Sequence, residues 1–201
     1  MPRFVFLSVV AFVCAIALNV SGQVALDLFH EWFQQRGGKS SHIQVKSFED
    51  GNRGIECVDT LQEEGSLVLE VPMDMVLHIP SLSRENTVNP THLSISQSFQ
   101  NNSLDHALIA ILLHEKILSN DSFWAPYIAV LPSLVRNGLH FTMEDMKEFQ
   151  NPILVTKMQR MQKEIIDSFS VFQSVCLKNQ LTTLKDTTFE DFRWATTIID
   201  R

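Results

Sequence analysis

Basic side chains are in short supply: 16 Lys and Arg stand against 23 Asp and Glu, for a formal net charge of −7. Binding to a phosphate backbone needs clustered cations, so a nucleic-acid partner is not expected. Cysteine is equally scarce, represented by Cys14, Cys57 and Cys176. That excludes a disulfide scaffold, and no CxxC or Cys/His spacing suggests zinc. A single Cys57–Cys176 bridge would suit an oxidising compartment, yet both residues lie on apolar patterns, and two buried thiols are the favoured expectation. Tyr127 is the only tyrosine.

Familiar reaction motifs are also missing. The chain has no GxSxG elbow, no HExxH, no GxxxxGK[ST] and no GxGxxG, which removes the usual signals for serine hydrolysis, zinc proteolysis and nucleotide binding. His106 and His114 lie about two helical turns apart, too far to share a metal, and read as packing or helix-surface residues. The remaining histidines, His30, His42, His78, His92 and His140, have no carboxylate or cysteine at ligand spacing. No internal repeat is present.

A long hydrophobic run occurs at the start. "FVFLSVVAFVCAIAL" follows Pro2 and Arg3 and precedes the small, polar "NVSGQ". This is the layout of a secretory signal peptide over residues 1–22, cleaved near Gly22, with an uncleaved signal anchor as the rival reading. Cleavage would place the mature chain in the secretory route, secreted or in an organelle reached through it, with no membrane partner and one charge more acidic. Two sequons, Asn101-Asn-Ser103 and Asn120-Asp-Ser122, would then be open to glycosylation.

The next segment, 23–80, reads as a small β unit behind a helix. A short amphipathic helix from His30 to Gly38 ends in "RGG", whose glycines suit a C-cap. "HIQVKSF", "GIECV" and "SLVLEVP" alternate apolar and polar residues between the turn-forming "EDGN" and "QEEG". They predict a three-stranded antiparallel meander ending at Pro72, with "MDMVLHIP" as a fourth short strand. Gly51 and Gly54 fall in the first turn, where glycine permits positive φ and lets backbone N–H groups approach a ligand. On local pattern alone this is an ordinary hairpin loop.

Residues 81–103, rich in Ser, Asn and Thr, read as a polar loop, and 104–201 as a helical unit. "LDHALIAILLHEKIL" is apolar nearly all round and predicts a buried central helix. Asn151-Pro152 offers an N-cap followed by Pro at the first helical position. Leu154, Met158, Met161, Ile165, Phe169, Phe172 and Cys176 then recur at spacings of four and three, the stripe of a long amphipathic helix. A last helix opens near Thr188, with Phe192, Ala195 and Ile198 on one face. Between the helices, "DSFWAPYIAVLP" reads as a clasp in which Phe123, Trp124 and Tyr127 pack the helical core while Pro126 and Pro132 fix the turn.

Taken in order, three stretches carry a resemblance: "DGNRGIECVDTLQEEGSLVLEVPMDMVLH", "HALIAILLHEKILSNDSFWAPYIAVLP" and "FEDFRWATTIIDR". Together they resemble the SET-domain methyltransferases of the group that includes the Rubisco large-subunit lysine methyltransferase and the actin-histidine methyltransferase, over residues 29–201. The resemblance implies an α+β fold with the N-terminal SET strands followed by a helical insert. It implies S-adenosylmethionine as cofactor, lined by Gly51, Asn52, Arg53 and Gly54 and met by Arg201, and a protein substrate methylated on lysine or histidine. Asn52 stands where many members have glycine, so the match is looser there. A guanidinium at 201 suits a two-pronged pairing with the cofactor's carboxylate. The group's further cofactor segment and active-site tyrosine have no counterpart among these residues, so this chain alone is expected to be an inactive N-terminal part. The competing expectation is a non-enzymatic secreted module built on the same half-domain.

Overall fold

The computed structural model describes residues 22–47, 53–59, 66–79, 89–134 and 137–200, with the side chains of Ser47 and Arg53 left aside. The leader therefore lies outside the described residues. The chain divides into two compact units, Met1–Val76 and Leu77–Arg201. Its class is α+β: among the described residues there are one two-stranded antiparallel sheet and a larger set of helices.

In the first unit, helix α1 covers residues 22–35, starting earlier than the sequence pattern alone suggests. Phe29, Trp32 and Phe33 line one side of it, with Phe29 and Phe33 stacked 6.2 Å apart. The helix ends as "RGG" predicts: Gly37 adopts φ 87°, and Gly37 and Gly38 donate to the carbonyls of Gln34 and Phe33, both at 2.9 Å. A side chain at Gly38 would run into the Phe33 ring, so only glycine lets the chain turn this closely.

Strands β1 (Ile43–Ser47) and β2 (Arg53–Cys57) pair antiparallel, from Ile43 opposite Cys57 to Ser47 opposite Arg53. The alternation divides the hairpin into two faces. Gln44, Lys46 and Glu56 share the polar face, where Lys46 and Gln44 both donate to the Glu56 carboxylate. Val45 and Ile55 sit opposite each other on the apolar face, and Ile55 is 69% exposed.

The expected third and fourth strands are not formed. Residues 66–72 make one isolated bridge, Lys39 to Glu70, with backbone hydrogen bonds of 3.0 and 2.8 Å and a side-chain ion pair of 2.9 Å. A strand exists by virtue of a ladder partner, and here pairing stops before Pro72, which has no N–H to contribute. Leu67, Leu69 and Val71 therefore stay exposed despite their alternation. Met73–Met75 closes into a 3-10 turn behind Pro72 instead of a strand.

The second unit begins with a helix inside the segment read as polar loop. Helix α2 covers Pro90–Ser98, and Asn89 caps it by accepting hydrogen bonds from the N–H groups of Thr91 (2.9 Å) and His92 (3.4 Å). The Asn-Pro pair does here what Asn151-Pro152 does for the long helix that begins at Pro152, a cap followed by a residue whose missing N–H costs nothing at the first turn. Helix α3, Leu104–Leu118, is buried from Ala107 through Glu115 apart from part of Leu108. Two short helices follow, α4 (Ala125–Val130) and α5 (Met143–Lys147), the latter opened by a Thr142/Asp145 capping box.

Helix α6 spans Pro152–Lys178 and α7 spans Phe189–Ile199. On α6 the predicted stripe is buried at Met158, Ile165, Phe172 and Cys176, while Leu154 and Met161 remain partly open. Phe172 is the hub of the core, its ring 5.4 Å from Phe99 and 5.0 Å from Phe192. Burying each such ring contributes roughly 1.5–3 kcal/mol. Thr188 caps α7 through the Asp191 N–H, where the sequence places its start. Ala195 on the same face is fully enclosed.

Cys57 is exposed and Cys176 buried, both as free thiols. The expectation of a buried Cys57 is thus corrected: it belongs to the hairpin's uncovered face, and its thiol donates to the Asp59 carbonyl at 2.8 Å. No helix among the described residues is long and apolar enough to cross a membrane.

Candidate functional site

The hairpin positions the expected cofactor turn. Its ladder closes at Ser47 and Arg53, and the connection between them, with Gly51 and Asn52, lies outside the described residues, as does Arg201. Arg53 opens β2. Gly54 is not a turn residue: it pairs with Lys46 inside the ladder, and Gly37 is the one described glycine with positive φ. An extended residue in a paired strand needs no glycine conformation, so any role for Gly54 rests on its lack of a side chain. Helix α7 ends at Ile199 with Asp200 as its C-cap, directly before Arg201.

A buried polar cluster that the sequence does not announce lies in the helical unit. Glu115 on α3 is 2% exposed. His92 Nε2 on α2 is 2.6 Å from its Oε1, and Ser122 donates to Oε2 at 2.5 Å. Ser122 in turn accepts from the Trp124 N–H at 3.0 Å, and the Trp124 ring stacks on His92 at 5.2 Å. His114 meets the edge of His92 at 6.3 Å and pairs through Nδ1 with Thr183 at 3.2 Å.

The electrostatics follow from these contacts. Burial, the largest influence on Glu115, pushes its carboxyl up, but hydrogen bonds from His92 and Ser122 and the nearby imidazoles outweigh it and hold the group below the usual carboxylate range. His114 is lowered, chiefly because burial disfavours its charged form; Glu115 pulls the other way and His92 adds to the lowering.

Chemically, the carboxylate sits in the middle, bonded to both the imidazole and the hydroxyl. A serine nucleophile needs its hydroxyl on the imidazole. Ser122 donates its hydrogen bond to Glu115 instead, so the cluster ties α2, α3 and the 121–132 clasp together and is not arranged as a serine nucleophile. His106 fulfils its expected packing role between the Phe99 and Phe192 rings. Among the described residues no group of three or more His, Cys, Asp or Glu is placed to hold a metal.

A surface hollow of about 370 Å³ adjoins the clasp, lined by Lys116, Ile128, Leu131, His140, Asp191 and Trp194 among others. Lys116 bonds Asp191 at 3.0 Å and lies 4.2 Å over the Trp194 ring. The Trp194 indole donates to the Pro132 carbonyl at 2.8 Å, so the end of the clasp is held by α7. Burial, with the Arg193 charge behind it, lowers His140. The hollow's Lys116 and Asp191 neutralise each other, which leaves it a solvated groove.

Comparison with known proteins identifies the architecture. The solved structure of Rubisco LSMT bound to AdoMet superposes with a TM-score of 0.71 over 87% of this chain and 39% of that one, at 18% sequence identity. The complex of Rubisco LSMT with sinefungin and monomethyllysine gives a TM-score of 0.69 over 85% and 38%, also at 18% identity. The fold is that of the SET methyltransferase group. Among curated proteins, actin-histidine N-methyltransferases are similar to it: that of Callithrix jacchus is 24% identical over 169 residues, and that of Homo sapiens 23% over 169 residues, each match covering 82% of this chain. The chain spans 28% of the length of those relatives. No family model matches.

Proposed function

We propose that this chain is the N-terminal portion of an S-adenosylmethionine-dependent protein N-methyltransferase acting on lysine or histidine. The observation that carries the reading is the superposition on Rubisco LSMT bound to AdoMet over 87% of the chain, with the similarity to actin-histidine N-methyltransferases beside it. On this reading Gly51, Asn52 and Arg53 would offer neutral backbone N–H donors and Arg201 a planar fork for a carboxylate, while Gly54, paired with Lys46 in the ladder, would offer only its lack of a side chain. Bound there, the cofactor would supply an electrophilic methyl group on a sulfonium. The chain's part is to fix its orientation and exclude water on one side, because transfer in line depends mainly on alignment.

The 201 residues by themselves do not methylate, on this reading, since they correspond to 28% of the relatives' length. The exposed apolar residues Val45 and Ile55 of the hairpin, and Leu67, Leu69 and Val71 of the unpaired segment after it, support it: such surfaces fit ones made to be covered. The apolar N-terminal run, taken as a leader, would send the protein into the secretory route, and that feature favours the second reading, a secreted module that binds without catalysing. Calorimetric titration of the isolated chain with S-adenosylmethionine tests the matter directly. Weak binding without methyl transfer to protein is expected, and weakened further in Arg201→Ala. Micromolar affinity would overturn the expectation that this chain alone holds the cofactor weakly, and the absence of any binding at millimolar cofactor would favour the non-enzymatic module. Sequencing the mature N-terminus tests the leader, which predicts a start near Gly22.

A further inference from the structure

The two Asn-X-Ser triplets, alike in sequence, are placed differently by the fold. Asn101 stands in the turn between α2 and α3, and Asn101, Asn102 and Ser103 are all exposed. The turn is closed by the Asn102 N–H on the Phe99 carbonyl at 2.8 Å, and no described hydrogen bond engages the Asn101 carboxamide. The Ser103 hydroxyl touches Asp105 in the first turn of α3, at 3.2 Å to the N–H and 3.2 Å to Oδ2. That contact lies at a solvent-facing helix end, where fraying is easy.

Asn120 is exposed as well, but its triplet ends on Ser122, which is buried. Its hydroxyl donates to Glu115 at 2.5 Å and accepts from the Trp124 N–H at 3.0 Å. Both functions of the hydroxyl are taken, beneath the His92 and Trp124 rings. Its partners are only seven and two residues away in sequence. Loops of that size close in about 10–100 ns, whereas synthesis adds about 5–20 residues per second. Ser122 can therefore meet both partners well before synthesis adds the next residue.

We propose that Asn101 is an N-glycan acceptor and that Asn120 is left unmodified because the fold sequesters Ser122. The proposal rests on the secretory-route reading of the leader, and it holds whether that leader is cleaved or kept as an anchor with Arg3 on the cytosolic side. In the transfer, the Asn101 amide nitrogen bonds to the anomeric carbon of an oligosaccharide carried on a lipid pyrophosphate. The bond to the pyrophosphate oxygen breaks, the lipid pyrophosphate leaves with the electron pair, and the amide proton passes to a base of the transferase. The glycan would project from the α2–α3 turn into solvent and leave the core of the helical unit untouched.

The test is expression of the full chain, with its own leader, in eukaryotic cells that glycosylate. Digestion with peptide N-glycosidase should remove one glycan, and peptide mass spectrometry of the wild-type chain should find the resulting Asn-to-Asp conversion at position 101 and not at 120. The shift should vanish in Asn101→Gln and persist in Asn120→Gln. Glu115→Ala, which releases Ser122, should raise occupancy at Asn120. A glycan at Asn120 in the wild-type chain, or Asn120 still bare in Glu115→Ala, would overturn the sequestration; a chain with a cleaved leader and no glycan at Asn101 would overturn the acceptor. An intact leader on a protease-accessible cytosolic chain would sink the proposal together with the secretory reading, while the cofactor titration stands apart from both.

Discussion

His92 Nε2 and Glu115 Oε1 are 2.6 Å apart across 23 residues of sequence, and this contact joins the first two helices of the helical unit. With the Ser122 hydroxyl on the other carboxylate oxygen, both oxygens of the buried Glu115 are hydrogen-bonded. Removing one partner of such a buried pair leaves the other uncompensated. Glu115→Ala should lower the unfolding free energy by about 3–5 kcal/mol, measured by urea denaturation of the chain. A loss under ~1 kcal/mol, the range of an exposed pair, would show that the cluster is not the fastener described.

Stability should fall as pH drops, in two stages. Burial lowers His106, His114 and His140 below the ordinary histidine range, so below about pH 6.5 the unfolded chain takes up protons that the folded chain refuses. Glu115 is held below the usual carboxylate range; its contribution is present above the unfolded value near pH ~4.3 and is lost as pH falls through the folded value. Melting temperatures at pH 7.5, 5.5 and 4 should decrease in that order. A flat profile between pH 7.5 and 5.5 would contradict the buried, neutral histidines.

Phe172 is fully enclosed and touches Phe99 and Phe192. Phe172→Ala should cost about 3–5 kcal/mol, the transfer of the ring plus the cavity it leaves. Phe172→Leu should cost less, and the ordering can be read from denaturant midpoints.

Asn89→Ala should weaken α2 by about 1 kcal/mol, because both N–H groups that Asn89 accepts from lose their partner. Replacement by Asp or Ser should restore most of it, which separates capping from side-chain bulk in a thermal melt.

Cys57 is exposed, whereas burial pushes the Cys176 thiol up to about 12. Brief alkylation of the native chain followed by peptide mapping should label Cys57 and spare Cys176 until denaturant is added. Labelling of both in the native state would show that α6 does not hold its face closed.

What could be read from the chain before folding was whatever is local and periodic. The stripe on α6 and the Thr188 start of α7 follow from repeats of three and four and from short caps whose partners lie within three residues. The clasp was legible only as aromatic and proline density: Ala125–Val130 within it is helix α4, with Pro126 in the first turn rather than fixing a bend, and Trp124 packs on His92 rather than into the main core. Asn89-Pro90 carries the same signal as Asn151-Pro152, but its helix has only Leu93, Ile95 and Phe99 to mark it, so the polar surroundings read as loop. The third strand failed for the opposite reason: Leu67, Leu69 and Val71 alternate correctly, but alternation does not supply a partner.

The sequence by itself determined helices α3, α6 and α7, the caps at Asn151 and Thr188, and the order of features that resembles a SET methyltransferase, because those depend on neighbours a few residues apart. Only the tertiary structure decided that His92, Glu115, Ser122 and Thr183 meet, that Ser122 is closed to chemistry while Ser103 is open, and that the hairpin's apolar face stays uncovered. Those outcomes depend on which surfaces come together in space, and residue spacing along the chain carries no record of that.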